Sequence, residues 1–177
     1  LELGEAADIA SNILQQFGLE TTQLSAVTDS LVATANNANT SVEQMAQALS
    51  YAGPFAASLG VSVDEASAAI GALGNAGIQG SLAGTNLRGI LISLVSPSRT
   101  AGETLDKLAA RLGKGREAFD VTTQGLEDVI KNLKKATDGT EDAAEVFAEI
   151  FNRRNVSGAL ALSSASLGAL RLISKSA

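Results

Sequence analysis

Cysteine and histidine are both missing from this chain of 177 residues. Without them the chain by itself cannot form a disulfide, a Cys/His zinc site, a Cys-His nucleophile pair or a Ser-His-Asp triad. Tryptophan is also absent, and aromatic residues make up only 3% of the sequence. Because hydrophobic residues still make up 45%, with Ala and Leu abundant among them, the composition favours closely packed helices over a sheet.

Positive charge is missing from the first half of the chain. The formal net charge is -6 at pH 7, and the first basic residue is Arg88. Residues 1–100 contain eight acidic and two basic residues, whereas residues 101–177 contain eleven of each kind. This distribution predicts no specific binding to nucleic acid. The cluster Lys131, Lys134 and Lys135 is surrounded by Glu127, Asp128 and Asp138, which is typical of a solvated helix face.

Helix-capping signals recur along the sequence. Three pairs have the spacing of a capping box: Ser41–Gln44, Ser62–Glu65 and Thr100–Glu103. We expect Gly53 and Pro54 to separate two helices and Thr140 to cap a later one. The triplet VTT at 121–123 is the only β-like signal and is too short to count. The prediction is an all-α array or bundle of about eight short-to-medium helices with no significant sheet.

The whole chain, residues 1–177, is predicted to be a single α-helical domain. Because it begins at Leu1, inside a segment that already has helical periodicity, we expect a fragment of a longer protein. No basic segment followed by an apolar run indicates a signal peptide. The last segment, residues 156–177, is rich in small residues and is predicted to be helical.

The stretch NAGIQGSLAGTNLRGILISL, residues 75–94, allows three interpretations. A phosphate-binding loop is disfavoured because no Lys follows the glycines and no strand precedes them. A membrane span is disfavoured because the apolar run between Arg88 and Pro97 is shorter than the ~20 residues required. The favoured interpretation is a tight joint in which Gly77 ends one helix and Ser81 caps the next.

Acidic pairs are the remaining candidates for chemistry. All three fall in or near predicted first helical turns, where the helix dipole favours negative charge: Asp64-Glu65, Glu127-Asp128 and Glu141-Asp142. Residues 138–149 resemble a calcium loop, but Ala143 occupies the position that needs Gly. We therefore predict no catalytic residue, no metal site and no cofactor, and not an enzyme.

Two segments carry a resemblance to a known family. ALSYAGPFAASLGVSVDEASAAIGALGNAGIQGSLAGTNLRGILISLVSPS, residues 48–98, resembles the core domain of phage tail tape measure proteins, also called phage-related minor tail proteins. FNRRNVSGALAL, from Phe151, resembles the family's closing segment, with Asn152 where the family has Gly. The tighter core match is 41–113, and 120–177 forms the helical C-terminal part.

The resemblance implies a structural role in a virion. Tape measure proteins fill the tail lumen, set tail length and leave before the genome, so the resemblance implies involvement in tail assembly, length determination and ejection. It implies synthesis in the bacterial cytoplasm from a phage or prophage gene. The partners that it implies are other copies of the protein, the tail tube, the tip or baseplate proteins and assembly chaperones. A separate hypothesis is a membrane-active module, in which residues 63–95 and 156–173 insert into the host envelope.

The site residues that we predict have structural roles in helix packing or in an interface. The predicted helix joint consists of one arginine and six residues that end helices or allow two helices to pack closely: Gly53, Pro54, Gly77, Gly80, Gly84, Arg88 and Gly89. Arg153 and Arg154 are candidate interface residues. Since eight short helices cannot make a long rod, the resemblance implies that the length ruler lies elsewhere in the parent protein.

Overall fold

Every regular element is helical in the computed structural model, which describes residues 3–140, 142–165 and 167. Two short 3₁₀ helices lie at Thr21–Gln23 and Arg116–Phe119. The α-helices in the described residues are α1 Leu3–Phe17, α2 Leu24–Asn37, α3 Val42–Ser58, α4 Val63–Asn75, α5 Gly80–Val95, α6 Arg99–Arg111, α7 Val121–Gln124, α8 Leu126–Thr137, α9 Ala143–Ile150 and α10 Val156–Ser164. The predicted all-α class is confirmed.

Two of the three predicted capping boxes are confirmed. Ser41 Oγ accepts from the Gln44 backbone N at 3.2 Å, and Gln44 Oε1 accepts from the Ser41 backbone N at 3.1 Å. The side chains of Ser62 and Glu65 make the same reciprocal pair of bonds at the start of α4. Each box satisfies backbone N–H groups that have no partner inside the helix.

The capping box predicted at Thr100 and Glu103 is wrong. Helix α6 starts at Arg99, and Ser98 is its N-cap, with its Oγ accepting from the Ala101 backbone N at 3.2 Å. Ser98 follows Pro97 and is the first residue after it that can cap, so the helix begins before Thr100 is reached. Glu103 instead pairs with Arg99 one turn earlier.

The break predicted at Gly53-Pro54 is also wrong. Helix α3 continues through both residues to Ser58, and the exposed Pro54 lies inside it. A proline inside a helix costs about 3 kcal/mol relative to alanine. Continuing the helix keeps Ala52 and Ala56, both fully buried, on one face, and this burial offsets the cost. The glycine that follows α3 is Gly60, with φ of +76°.

One smaller expectation, the N-cap at Thr140, is wrong. The β-like triplet at 121–123 belongs to α7, where Asp120 caps the Thr122 backbone N at 2.9 Å. Thr140 does not cap α9; its hydroxyl donates to the Thr137 carbonyl at 2.7 Å, and Asp142 precedes the helix. Of the helix predicted over 156–177, α10 accounts for the first part, and residues 166 and 168–177 lie outside the described residues.

One buried apolar cluster includes side chains from both ends of the described chain, from Ile13 to Leu167. Its most extensive helix-helix contact joins α3 and α5. These two helices run in the same direction, because a hydrogen bond joins Gln44 near the start of α3 to Gln79 before α5, and Ala48 opposes Gly84 about one turn later. Helix α4 returns the chain between them.

Candidate functional site: a glycine-mediated joint around α5

Gly84 lies against the backbone of α3. A Cβ atom added at Gly84 would overlap the carbonyl oxygen of Ala48 and would lie 2.9 Å from both the carbonyl carbon and the Cα of that residue. Any side chain at this position would therefore push backbone against backbone. Because Ala48 itself is small and fully buried, the two helix axes approach more closely here than larger residues would permit.

Gly77 and Gly80 shape the turn that leads into α5. Gly77 has φ of +81° directly after α4, and Gly80 has φ of +56° at the first position of α5. Both values lie in the left-handed region that glycine enters at least cost. A Cβ at Gly80 would also meet Gln47 Oε1 at 2.8 Å. The predicted cap at Ser81 is wrong, since Gln79 precedes the helix and its side chain makes no capping bond.

Amide side chains join the turn before α3 to the turn before α5. Asn75 Oδ1 accepts from the Asn39 backbone N at 2.7 Å, and Gln79 Nε2 donates to the Asn39 carbonyl at 2.5 Å. Gln44 Nε2 donates to Gln79 Oε1 at 3.2 Å and so connects this network to the Ser41 cap. None of these amide residues was among the predicted site residues. The available signal was the presence of uncharged amides in both turns, which are residues that can pair with backbone groups.

Gly89 belongs to a second contact, between α5 and α10. A Cβ there would overlap the side chain of Asn155, while a Cβ at Gly158 would come 2.7 Å from Asn86 Oδ1. Each helix thus supplies one asparagine that packs over a glycine of the other. Asn86 and Asn155 are buried, and Asn86 Nδ2 donates to the Leu82 carbonyl at 3.0 Å while its Oδ1 has no partner among the described residues. Neither asparagine was among the predicted site residues.

The predicted joint residues do not form one site. Gly53 faces α1, where a Cβ would come 2.6 Å from Gln16 Oε1 and 3.2 Å from Phe17 Cε2. Pro54 is exposed, as is Arg88, which makes no ion pair with any described residue. The glycines therefore serve three helix contacts: α1 with α3, α3 with α5, and α5 with α10.

The two candidate interface arginines lie in the turn between α9 and α10. Arg153 and Arg154 are both exposed, and neither forms an ion pair within the described part of the chain. The Arg154 backbone N donates to Asn152 Oδ1 at 3.1 Å, which fixes the turn. An interface role for the two side chains stays a prediction.

Beyond α5, polar side chains replace glycines at the helix contacts. Arg116 donates from Nε to Asp106 Oδ1 at 2.6 Å and from a terminal nitrogen to the Gly102 carbonyl at 2.6 Å. The Arg116 guanidinium lowers the pKa of the Asp106 carboxyl, and Asp106 in turn raises the pKa of Arg116. Thr104 Oγ1 donates to Glu149 Oε2 at 2.7 Å and joins α6 to α9.

The membrane hypothesis rested on the Gly/Ala-rich character of residues 63–95 and 156–173. Among the described residues, no helix is both long enough and apolar enough to span a bilayer. Residues 168–173, at the end of the second segment considered for insertion, lie outside the described residues.

Comparison with known proteins decides the family. The model of the phage-related minor tail protein family matches residues 1–152. The chain belongs to this family. The matched range includes α1 to α9 and the whole contact between α3 and α5, whereas α10 lies beyond it.

Two relatives agree with this assignment. The chain is 32% identical over 165 residues to the tape measure protein of Pneumococcus phage Dp-1, and the match covers 91% of the chain and 14% of the relative. It is also 32% identical over 165 residues to the probable tape measure protein of Escherichia phage P2, covering 91% of the chain and 20% of the relative. The chain thus spans a fifth or less of either relative. No solved structure matches it.

Proposed function

We propose that this chain is a folded structural module of a tail tape measure protein, acting in tail assembly, tail-length determination and genome ejection. The observation that carries the proposal is the match of 91% of the chain to two proteins named as tape measure proteins. The packing is consistent with it, because Gly53, Gly84 and Gly89 each lie against a side chain or the backbone of a neighbouring element. The function of such a module is to present a fixed surface to other tail proteins.

The module contributes a folded body and does not measure length by itself. The longest helix among the described residues, α3, has 17 residues, which corresponds to roughly 25 Å at ~1.5 Å per residue. A ruler requires a long continuous rod, and these short helices fold back on one another. Tail length is therefore set by the rest of the parent protein, while this module holds copies together or engages the tube, the tip or an assembly chaperone.

An insertion experiment in the parent phage tests this division of roles. About twenty helix-forming residues are inserted in the exposed loop at Lys114, between α6 and the 3₁₀ helix at 116–119. The matched control carries the same insertion in the part of the parent protein outside this chain. We expect tails of unchanged length from the first variant and tails longer by roughly 30 Å from the second, at ~1.5 Å per inserted helical residue.

The measurement is tail length by electron microscopy, with mass spectrometry of purified tails to show that residues of this chain are in the virion. Equal lengthening by both insertions would contradict the proposal, because the module would then be part of the ruler. Absence of the chain's peptides from tails would contradict a virion role altogether.

A further inference from the structure

The exposed face of helix α5 carries large apolar side chains and a single charge, together with the small polar residues Ser81 and Thr85. Its exposed large apolar side chains are Leu82, Ile92 and Val95, which are 57%, 41% and 38% exposed. Arg88 lies four residues before Ile92 and so projects from the same side of the helix. No acidic residue occurs in α5. The face therefore combines apolar anchors with one cation that makes no ion pair within the described residues.

A second feature has the complementary chemistry. A groove of about 340 Å³ lies where α1 and α2 meet the turn between α3 and α4, and its apolar lining includes Phe17, Leu19, Val27 and Val61. Asp64 also lines this groove, and its carboxylate makes no hydrogen bond or ion pair with a described residue. All residues that line the groove belong to the first 87 residues, none of which is basic.

Symmetric pairing of α5 with itself is disfavoured by its charge. Arg88 lies near the middle of the exposed face, between Leu82 and Val95. An antiparallel two-fold contact would place residue 88 of each copy beside the dyad, and thus bring two cations together in an apolar interface. Like charges placed opposite each other weaken association strongly. The cation instead requires an acidic partner surface.

We propose that the α5 face of one copy docks on the Asp64 groove of a second copy, with Ile92 as the apolar anchor and Arg88 paired to Asp64. This inference rests on the proposed structural role and names the surfaces through which copies associate. The groove lining includes no residue of α5, so donor and acceptor are separate surfaces of each copy. Such a heterologous contact leaves one face and one groove free and can therefore continue from copy to copy.

Charge-swap variants of the 177-residue chain test the contact by sedimentation velocity. We expect concentration-dependent association of the unaltered chain that weakens as salt is added. Arg88→Asp and Asp64→Arg should each weaken association about tenfold, and the double variant should recover most of that loss because the pair is restored with reversed polarity. Arg111→Asp and Asp29→Arg are the matched controls, since both side chains are exposed and lie outside the face and the groove.

Disulfide trapping shows which positions of the two copies come together. Because the chain contains no cysteine, a single introduced thiol per variant reports one position. We expect a mixture of Ile92→Cys and Gln23→Cys chains to form a mixed disulfide dimer in preference to either homodimer, since Gln23 lines the groove. Preferential homodimers of Ile92→Cys would instead show symmetric pairing of α5 and overturn the proposal.

Two other outcomes would also overturn it: a chain that stays monomeric at every concentration, or a double variant no better than the single ones. Both measurements use purified chain without phage. A failure here therefore leaves the insertion experiment in the virion as an independent test of the proposed function.

Discussion

The region from α1 to α5 and the region from α6 to α9 hold their helices together by different means. In the first region, glycines let one helix touch the backbone or buried side chains of another, as at Gly84 and Gly53. In the second, Leu and Phe side chains fill the core, and pairs such as Arg116–Asp106 and Thr104–Glu149 connect the elements. Every ion pair in the described part of the chain lies between Arg99 and Lys131.

The two regions should therefore tolerate different substitutions. A joint that relies on backbone contact has no side chain that can move aside, so a single added methyl group must shift a whole helix. A joint that relies on exposed charged side chains adapts to a methyl group by a change of rotamer, but it responds to pH and salt. Substitutions can separate these two behaviours.

The largest expected effect is that of Gly84→Ala. The added methyl group would overlap the Ala48 carbonyl, and we expect the free energy of unfolding to fall by about 2–3 kcal/mol. This loss should appear even though alanine favours a helix over glycine by about 1 kcal/mol. The measurement is urea-induced unfolding followed by circular dichroism.

Gly102→Ala is the matched control for that substitution in the second region. Gly102 is also buried within a helix, but the nearest atoms to an added Cβ are the terminal nitrogens of Arg116 at 3.3 Å. Because this long side chain can move, we expect a change within about 1 kcal/mol of the unaltered protein. Equal losses at both positions would show that the two regions do not differ in this way.

A smaller effect is expected at the contact between α5 and α10. Gly89→Ala should cost about 1–2 kcal/mol, because the methyl group overlaps the Asn155 side chain. Asn155→Ala removes that side chain, so the double variant should lose about 1 kcal/mol less than the sum of the single losses. The same cycle with Gly102→Ala and Asn155→Ala should be additive, since an added methyl group at Gly102 meets Arg116 and not Asn155. Additivity in both cycles would contradict the packing described for Gly89.

Local signals in the sequence predicted part of this structure. The boxes at Ser41 and Ser62 depend only on residues three positions apart, and both formed as predicted. The all-α class followed from composition and periodicity, which are also local properties. The break at Gly53-Pro54 was predicted on the same kind of signal and was wrong, because burial of Ala52 and Ala56 outweighs the local preference of proline.

The parts of the joint that were missed depend on distant pairs. Asn86 contacts Gly158, and Asn75 bonds to Asn39, across separations that no short window of sequence connects. A list of glycines identified small residues suited to close packing but did not indicate which helix each one meets. Gly53 was therefore assigned to the same joint as Gly84, although the structure places it against α1.

The smallest expected effect is a pH dependence confined to the second region. Arg116 lowers the pKa of Asp106 below its ordinary value of 3.8, so the unfolded chain binds the Asp106 proton more tightly than the folded chain does. The Arg116–Asp106 pair therefore stabilises the folded chain when the pH is above the ordinary pKa of aspartate. This stabilisation is lost as the pH falls through the lower pKa that Asp106 has in the folded chain. We expect Asp106→Asn to unfold at less urea than the unaltered protein at about pH 7, with the difference shrinking towards pH 3 and at high salt.

Glu103→Gln, in the more exposed pair with Arg99, should change the stability little at either pH, because an exposed ion pair of this kind contributes little. A difference for Asp106→Asn that persists unchanged in acid would mean that the aspartate acts through shape and not through charge. The contrast between the two regions would then rest on packing alone.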